Sequence, residues 1–409
     1  MEYFVSRNPI FKGDQNILGY HLIFQENVEN ALFEMSYLAD LNKDDSPLNF
    51  SEVVSGKLSF VNFSTDSIEA LIPSCLECDS TVVTHEAKNL PTETLLIALL
   101  NLHDSNYKIC LSNIQNEKAW ETIYPIIDFI SFDIEEISTN DLFRIVDCIG
   151  RFPNIKLLAT NVNDLSLHEQ AVQMGFDYFE GMFFSQTEVL MSRSMSPAET
   201  TLAELLYQTS SNSVDLNKII EVIKRDVYLT YKILGYANTV FFKRRKQVST
   251  IKQAVVTLGL VELKRFISIL FTTLLSKKRS KELVRLSLFR GKFCELTIEQ
   301  RSEHTPHENE SAEAFLVGLL SLIEAMFNEP AESALKKLSL SKNISNAIIS
   351  GKGELAQDLA LAKISEQGNW REALLQGEKL GLSKEQLIHI NSSSLTWANQ
   401  QMEMLNLES

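Results

Sequence analysis

The texture of this 409-residue chain changes once, near residue 190, and that change limits its folds more than any single motif. Before it, short apolar segments alternate with helix-like stretches, the pattern of a parallel α/β sheet or barrel. After it, apolar residues recur at helical spacing and no comparable strand-like alternation appears. Charge changes at the same place. Residues 1–190 hold 10 Lys and Arg against 29 Asp and Glu, a net −19, whereas residues 191–409 hold 28 against 24, a net +4. Two domains are therefore expected, 1–190 and 191–409. So acidic a first half repels phosphates, which argues against nucleic acid as a partner.

The hydrophobic fraction of 44% supports real cores. The longest apolar run, Phe266–Leu275, falls short of the roughly 20 residues that span a bilayer, so no membrane insertion is expected. The first residues show no basic region followed by an apolar core, hence no secretion signal. Five cysteines at irregular spacing, with Cys75 and Cys78 as a lone CxxC, fit free thiols in a reducing cytosol. A cytoplasmic protein with no cofactor and no metal is the expectation.

Strands are expected at Tyr3–Ile10 and Gly19–Phe24, as an opening hairpin, then at Leu58–Phe63, Ser80–Thr84, Lys108–Leu111, Phe129–Asp133, Lys156–Ala159 and Tyr178–Glu180. Helices between them include Glu93–His103, Asn140–Ile149 and Leu165–Met174, with Thr92 and Asp164 as N-caps. In such barrels the functional side chains sit at the C-terminal ends of the strands.

Asp128-Phe-Ile-Ser-Phe-Asp133 and Met174-Gly-Phe-Asp-Tyr-Phe-Glu-Gly-Met-Phe-Phe-Ser185 resemble late segments of EAL-type cyclic-di-GMP phosphodiesterases, which are TIM-like (β/α) barrels. The resemblance covers about residues 1–190 and implies a site of two metal ions. On that register the family's Glu and Arg of Glu-x-Leu-x-Arg become His21 and Gln25, and its metal-binding asparagine is kept at Asn62. A ligand glutamate becomes Val83, while Glu86 keeps the glutamate that braces a loop. The paired aspartates become Ser112 and Asn113, the lysine before the retained Asp133 becomes Ser131, a further glutamate becomes Thr160, and a late glutamine becomes Glu180. Two cations need several carboxylates to offset their charge and activate water. Their loss implies no phosphodiesterase activity, no metal, and no cyclic-di-GMP binding. His21, His85, Asn62, Glu86 and Asp133 could still gather at one mouth, either as a new pocket or as hydrogen-bonded remnants. His168 reads as a surface residue.

The second half reads as an all-α bundle, with helices at Leu216–Lys224, Leu229–Ala237, Ile251–Leu258, Leu263–Leu275, Leu283–Gln300, Glu313–Phe327 and onward to Lys384–Leu405. Arg225-Asp-Val-Tyr-Leu-Thr-Tyr-Lys-Ile-Leu-Gly-Tyr-Ala-Asn-Thr239, followed by Ser249–Gly259, resembles the HDOD domain, with Val227 and Thr239 replacing the usual Pro and Ser. No His lies between His168 and His304, so this half holds no His-Asp metal pair. The two-domain order resembles YuxH-like bacterial signalling proteins. That resemblance implies a non-catalytic regulator linked to cyclic-di-GMP control of motility or surface behaviour. It would act by contact with other signalling proteins and could form homo-oligomers. A ligand-sensing barrel that binds a nucleotide and switches the HDOD domain is the alternative. Lys243, Arg244, Arg245 and Lys246, with Lys277, Lys278 and Arg279, form two basic clusters that could make an interaction surface.

Overall fold

The computed structural model describes residues 5–13, 16–24, 50–115, 117–186, 195–209, 214–238, 248–276, 279–301, 308–338 and 340–405. Two compact units are present: residues 1–186 with 365–370, and residues 187–364 with 371–409.

The first unit is a closed eight-stranded barrel in the order β1 to β8. The strands are β1 Val5–Lys12, β2 Ile17–Phe24, β3 Leu58–Asn62, β4 Thr81–Glu86, β5 Lys108–Ser112, β6 Phe129–Asp133, β7 Lys156–Thr160 and β8 Tyr178–Glu180. β1 runs antiparallel to both β2 and β8, and every other neighbouring pair is parallel. The hairpin supplies the reversal that a purely βα-repeating chain lacks. Inside the barrel, Ile10, Phe60, Val82, Cys110, Phe129 and Leu158 pack into one layer. Phe60 meets Phe129 edge to face with centroids 5.2 Å apart. Burial pushes the Cys110 thiol up to about 12, so it stays protonated and inert in this layer. Helices α1 Glu93–Asp104, α2 Thr139–Ile149 and α3 Leu165–Gln173 cross outside. Each opens on a side-chain cap, from Thr92, Ser138 and Asp164 respectively.

The second unit is helical throughout its described residues. Its helices are α4 Pro197–Thr209, α5 Leu216–Lys224, α6 Val227–Ala237, α7 Ile251–Leu275, α8 Lys281–Arg301, α9 Glu308–Leu320, α10 Ile323–Phe327, α11 Ala331–Lys336, α12 Lys342–Ser350, α13 Glu354–Glu366, α14 Trp370–Lys379 and α15 Lys384–Met404. α7 is two helical pieces meeting at Gly259, whose φ of 73° few residues besides glycine adopt easily. The expected Glu313–Phe327 helix is instead α9 and α10, broken at Ser321 and Leu322. Several buried charges here are paired. Arg265 bridges Glu262 and Glu295, and Lys292 reaches Glu295 at 2.8 Å. Arg285 joins Glu282 at 3.1 Å and the Asn399 side chain at 2.6 Å. Among the described residues no helix is long and apolar enough to cross a membrane.

α8 and α9 approach so closely that a Cβ on Gly318 would overlap the Arg290 carbonyl. Replacing Gly by Ala normally gains about 1 kcal/mol of helix propensity. Overpacking costs about 1–3 kcal/mol, and here the obstacle is backbone, which cannot rotate away. Gly318→Ala is therefore expected to lower the melting temperature, by about 2–4 °C for each kcal/mol lost. Gly235→Ala, at a site where a Cβ meets nothing within 4 Å, is expected to leave it unchanged or raise it. Equal effects in thermal melts would contradict the close helix contact.

Candidate functional site

Six consecutive strands, β3 to β8, end on a residue that lines one pocket: Asn62, Glu86, Ser112, Asp133, Thr160 and Glu180. Parallel strands in a barrel stop at the same level, so their last side chains converge. The cavity is about 520 Å³ and its wall also includes Asn8, His21, Thr84, Asn113, Ser131 and Asn161. Nine of the sequence-derived positions thus come together: His21, Asn62, Glu86, Ser112, Asn113, Ser131, Asp133, Thr160 and Glu180. Val83 does not. β4 begins at Thr81 rather than Ser80 and runs on to Glu86, and strand alternation then points Thr84 and Glu86 to the pocket. Val83 is fully buried, and His85, also outside the pocket, hydrogen-bonds the Phe63 carbonyl at 3.2 Å and packs on Trp120. Burial lowers the His85 pKa. Gln25, Lys243, Arg244, Arg245, Lys246, Lys277 and Lys278 lie outside the described residues. Arg279 is half-buried. His168 is not the surface residue expected, since its ring stacks on Phe183 with centroids 4.3 Å apart.

Electrostatically, the pocket is organised around two pairs. His21 Nδ1 lies 3.0 Å from Glu180 Oε1, and Asn8 donates to the same oxygen at 3.2 Å. Glu180 is 6% exposed, so its charge depends on these partners. Burial pulls the His21 pKa down, but the Glu180 charge, with hydrogen bonds to Glu180 and Asn62, outweighs it and leaves the pKa above the ordinary value. Across the mouth, Asn161 donates to Asp133 Oδ2 at 2.5 Å, and the Glu135 backbone N–H donates to Oδ1 at 3.0 Å. Asn113 Oδ1 accepts from the Asp133 backbone N–H at 3.2 Å. Asn113 and Asn161 have φ of 50° and 58°, a left-handed backbone that asparagine tolerates better than most residues. Sequence reasoning missed Asn8, Thr84 and Asn161. The Asn161 signal lay in the Thr-Asn pair at the end of a strand.

The EAL resemblance implies two divalent cations here. The three carboxylates at the mouth, Glu86, Asp133 and Glu180, are each held by a protein donor. Among the described residues, no three His, Cys, Asp or Glu side chains converge as a metal site. The residues in this arrangement do not fit a cation pair.

A raised folded pKa makes the His21–Glu180 pair stabilising below the unfolded pKa of about 6.5 and progressively less so as pH rises through the folded value. The melting-temperature advantage of the unaltered protein over His21→Gln should therefore be largest near pH 6 and shrink as the pH rises above the ordinary histidine range. A difference independent of pH in scanning fluorimetry would contradict a charged His21.

The family model described as HDOD domain matches residues 195–340. The uncharacterized protein YuxH of Bacillus subtilis is 27% identical over 418 residues, covering 98% of this chain and all of that protein. The cyclic di-GMP phosphodiesterase CdgJ of Vibrio cholerae is 27% identical over 390 residues, covering 93% of this chain and 89% of that protein. Among solved structures, the YkuI protein of B. subtilis, which has an EAL domain and was solved with cyclic-di-GMP and calcium, aligns at 15% identity and a TM-score of 0.36. That alignment covers 64% of this chain and 72% of that one. Two expectations are overturned. A relative named as a phosphodiesterase, aligned along nearly the whole chain, contradicts the exclusion of an enzyme and the exclusion of cyclic-di-GMP as a ligand. Both exclusions rested on matching one motif register, and that register put Val83 at the mouth and counted missing ligands rather than the polar groups assembled. The HDOD family model thus falls within the helical unit, and EAL-domain proteins are among the solved structures that align with this chain.

Proposed function

We propose that this chain is a bacterial regulator in cyclic-di-GMP signalling whose barrel mouth recognises a cyclic dinucleotide. One observation carries the reading. Six strands in succession deliver a polar terminal residue to a single cavity, in a chain that aligns along 93% of its length with a cyclic di-GMP phosphodiesterase. A polar pocket with convergent hydrogen-bonding groups is the form a small-molecule site takes. The barrel domain is taken as residues 1–190 and the helical domain as 191–409.

The helical domain, in this reading, makes contacts with other signalling proteins. Tyr231 and Tyr228, on α6 within the HDOD match, are 73% and 51% exposed. Exposed tyrosines favour protein interfaces. Five free cysteines support a cytoplasmic setting.

Isothermal calorimetry of the full chain with cyclic-di-GMP tests the reading, with linear product followed by chromatography in the same samples. Saturable one-to-one heat is expected, weakened at least about tenfold by Asn62→Ala. No saturable heat from folded protein would overturn it.

A further inference from the structure

Each carboxylate at the barrel mouth is already engaged by this chain. Glu180 is held by His21 and Asn8, and Asp133 by Asn161 and the Glu135 N–H. Glu86, the most exposed of the three, lies 2.7 Å from Lys88. To bind a cation pair, Glu180 would have to give up short contacts inside a buried wall, and Asp133 its contacts at the exposed rim. Meanwhile two buried polar atoms on that wall, His21 Nε2 and Thr84 Oγ1, lack a hydrogen bond of normal geometry and meet only the Asn62 amide and the Cys110 thiol loosely. A buried polar group left so costs free energy that a ligand atom would recover. Amides from Asn62, Asn113 and Asn161 offer donors and acceptors side by side.

We propose that the pocket binds its ligand without a divalent cation, hydrogen-bonding a guanine edge through Asn113, Asn161, Thr84 and His21 and leaving the phosphates outside the mouth. This rests on the reading of the barrel mouth as a cyclic-dinucleotide site and adds its mode of recognition. The chemistry decides between base and phosphate. Asp133, held by neutral donors, repels a phosphodiester, whereas a guanine edge carries both acceptors and an amino donor that amides and hydroxyls match. Phosphates held outside sit in water, where salt screens the repulsion over about 8 Å.

The test is calorimetry of the full chain with cyclic-di-GMP, once in EDTA and once in manganese. Affinity is expected to agree within about threefold between the two buffers. Asn161→Gly keeps the left-handed backbone and removes the amide, so it should fold normally and bind about tenfold more weakly in both. Cyclic-di-AMP, which lacks the guanine edge, should compete poorly. Binding that EDTA abolishes and manganese restores would overturn cation-free recognition, and equal affinity for cyclic-di-AMP would overturn the guanine edge. Saturable heat in neither buffer would overturn the site itself rather than its mode.

Discussion

Asn8, His21 and Glu180 belong to three adjacent strands, and their hydrogen bonds form one wall of the barrel. Asn8 and His21 face each other across the β1–β2 pair, while Ile10 of β1 stands opposite Glu180 of β8. A nearly buried carboxylate is tolerated only with a partner, and breaking such a pair costs about 3–5 kcal/mol. The short closing strand β8 ends on that carboxylate, so the electrostatic pair and barrel closure reinforce each other. Gly181 follows directly. A Cβ there would overlap the Val162 carbonyl, and Val162 in turn bonds the Glu180 carbonyl through its N–H at 2.9 Å. The pocket's shape therefore depends on a tightly fitted seam.

Below the pocket, the apolar layer from Ile10 to Leu158 supplies a rigid floor. Above it, the side chains are amides, hydroxyls and carboxylates whose charges are mostly satisfied from within the chain. This division follows from strand alternation and strand ends. Inward positions deep in the barrel are apolar, and the last inward position of each strand meets solvent. The site thus suits recognition through hydrogen bonds, and its few charges orient neighbours.

Much of this was legible in sequence because the strands are short, apolar and end on polar residues. Asn62, Asp133 and Glu180 were placed at a mouth by the EAL resemblance laid over that pattern. Val83 could not be placed correctly, because a strand's inward set flips with its starting residue, and only the paired register decides whether Val83 or Thr84 faces the cavity. Asn161 was missed for another reason. Its role comes from a backbone φ and from Asp133, 28 residues away. Asn8 likewise matters through a partner on a distant strand. The helical half was read from its 3.6-residue period, yet the break between α9 and α10 has no glycine or proline to mark it. Excluding an enzyme was the larger error, since a list of missing ligands does not describe what the remaining residues build.

The most direct measurement is a crystal structure of the full chain with cyclic-di-GMP, grown in manganese and recorded at the manganese absorption edge. The account requires a guanine within hydrogen-bond distance of Asn161 and His21, and no anomalous peak among Asn62, Glu86 and Asp133. Two ordered manganese ions there, with a phosphate between them, would contradict it.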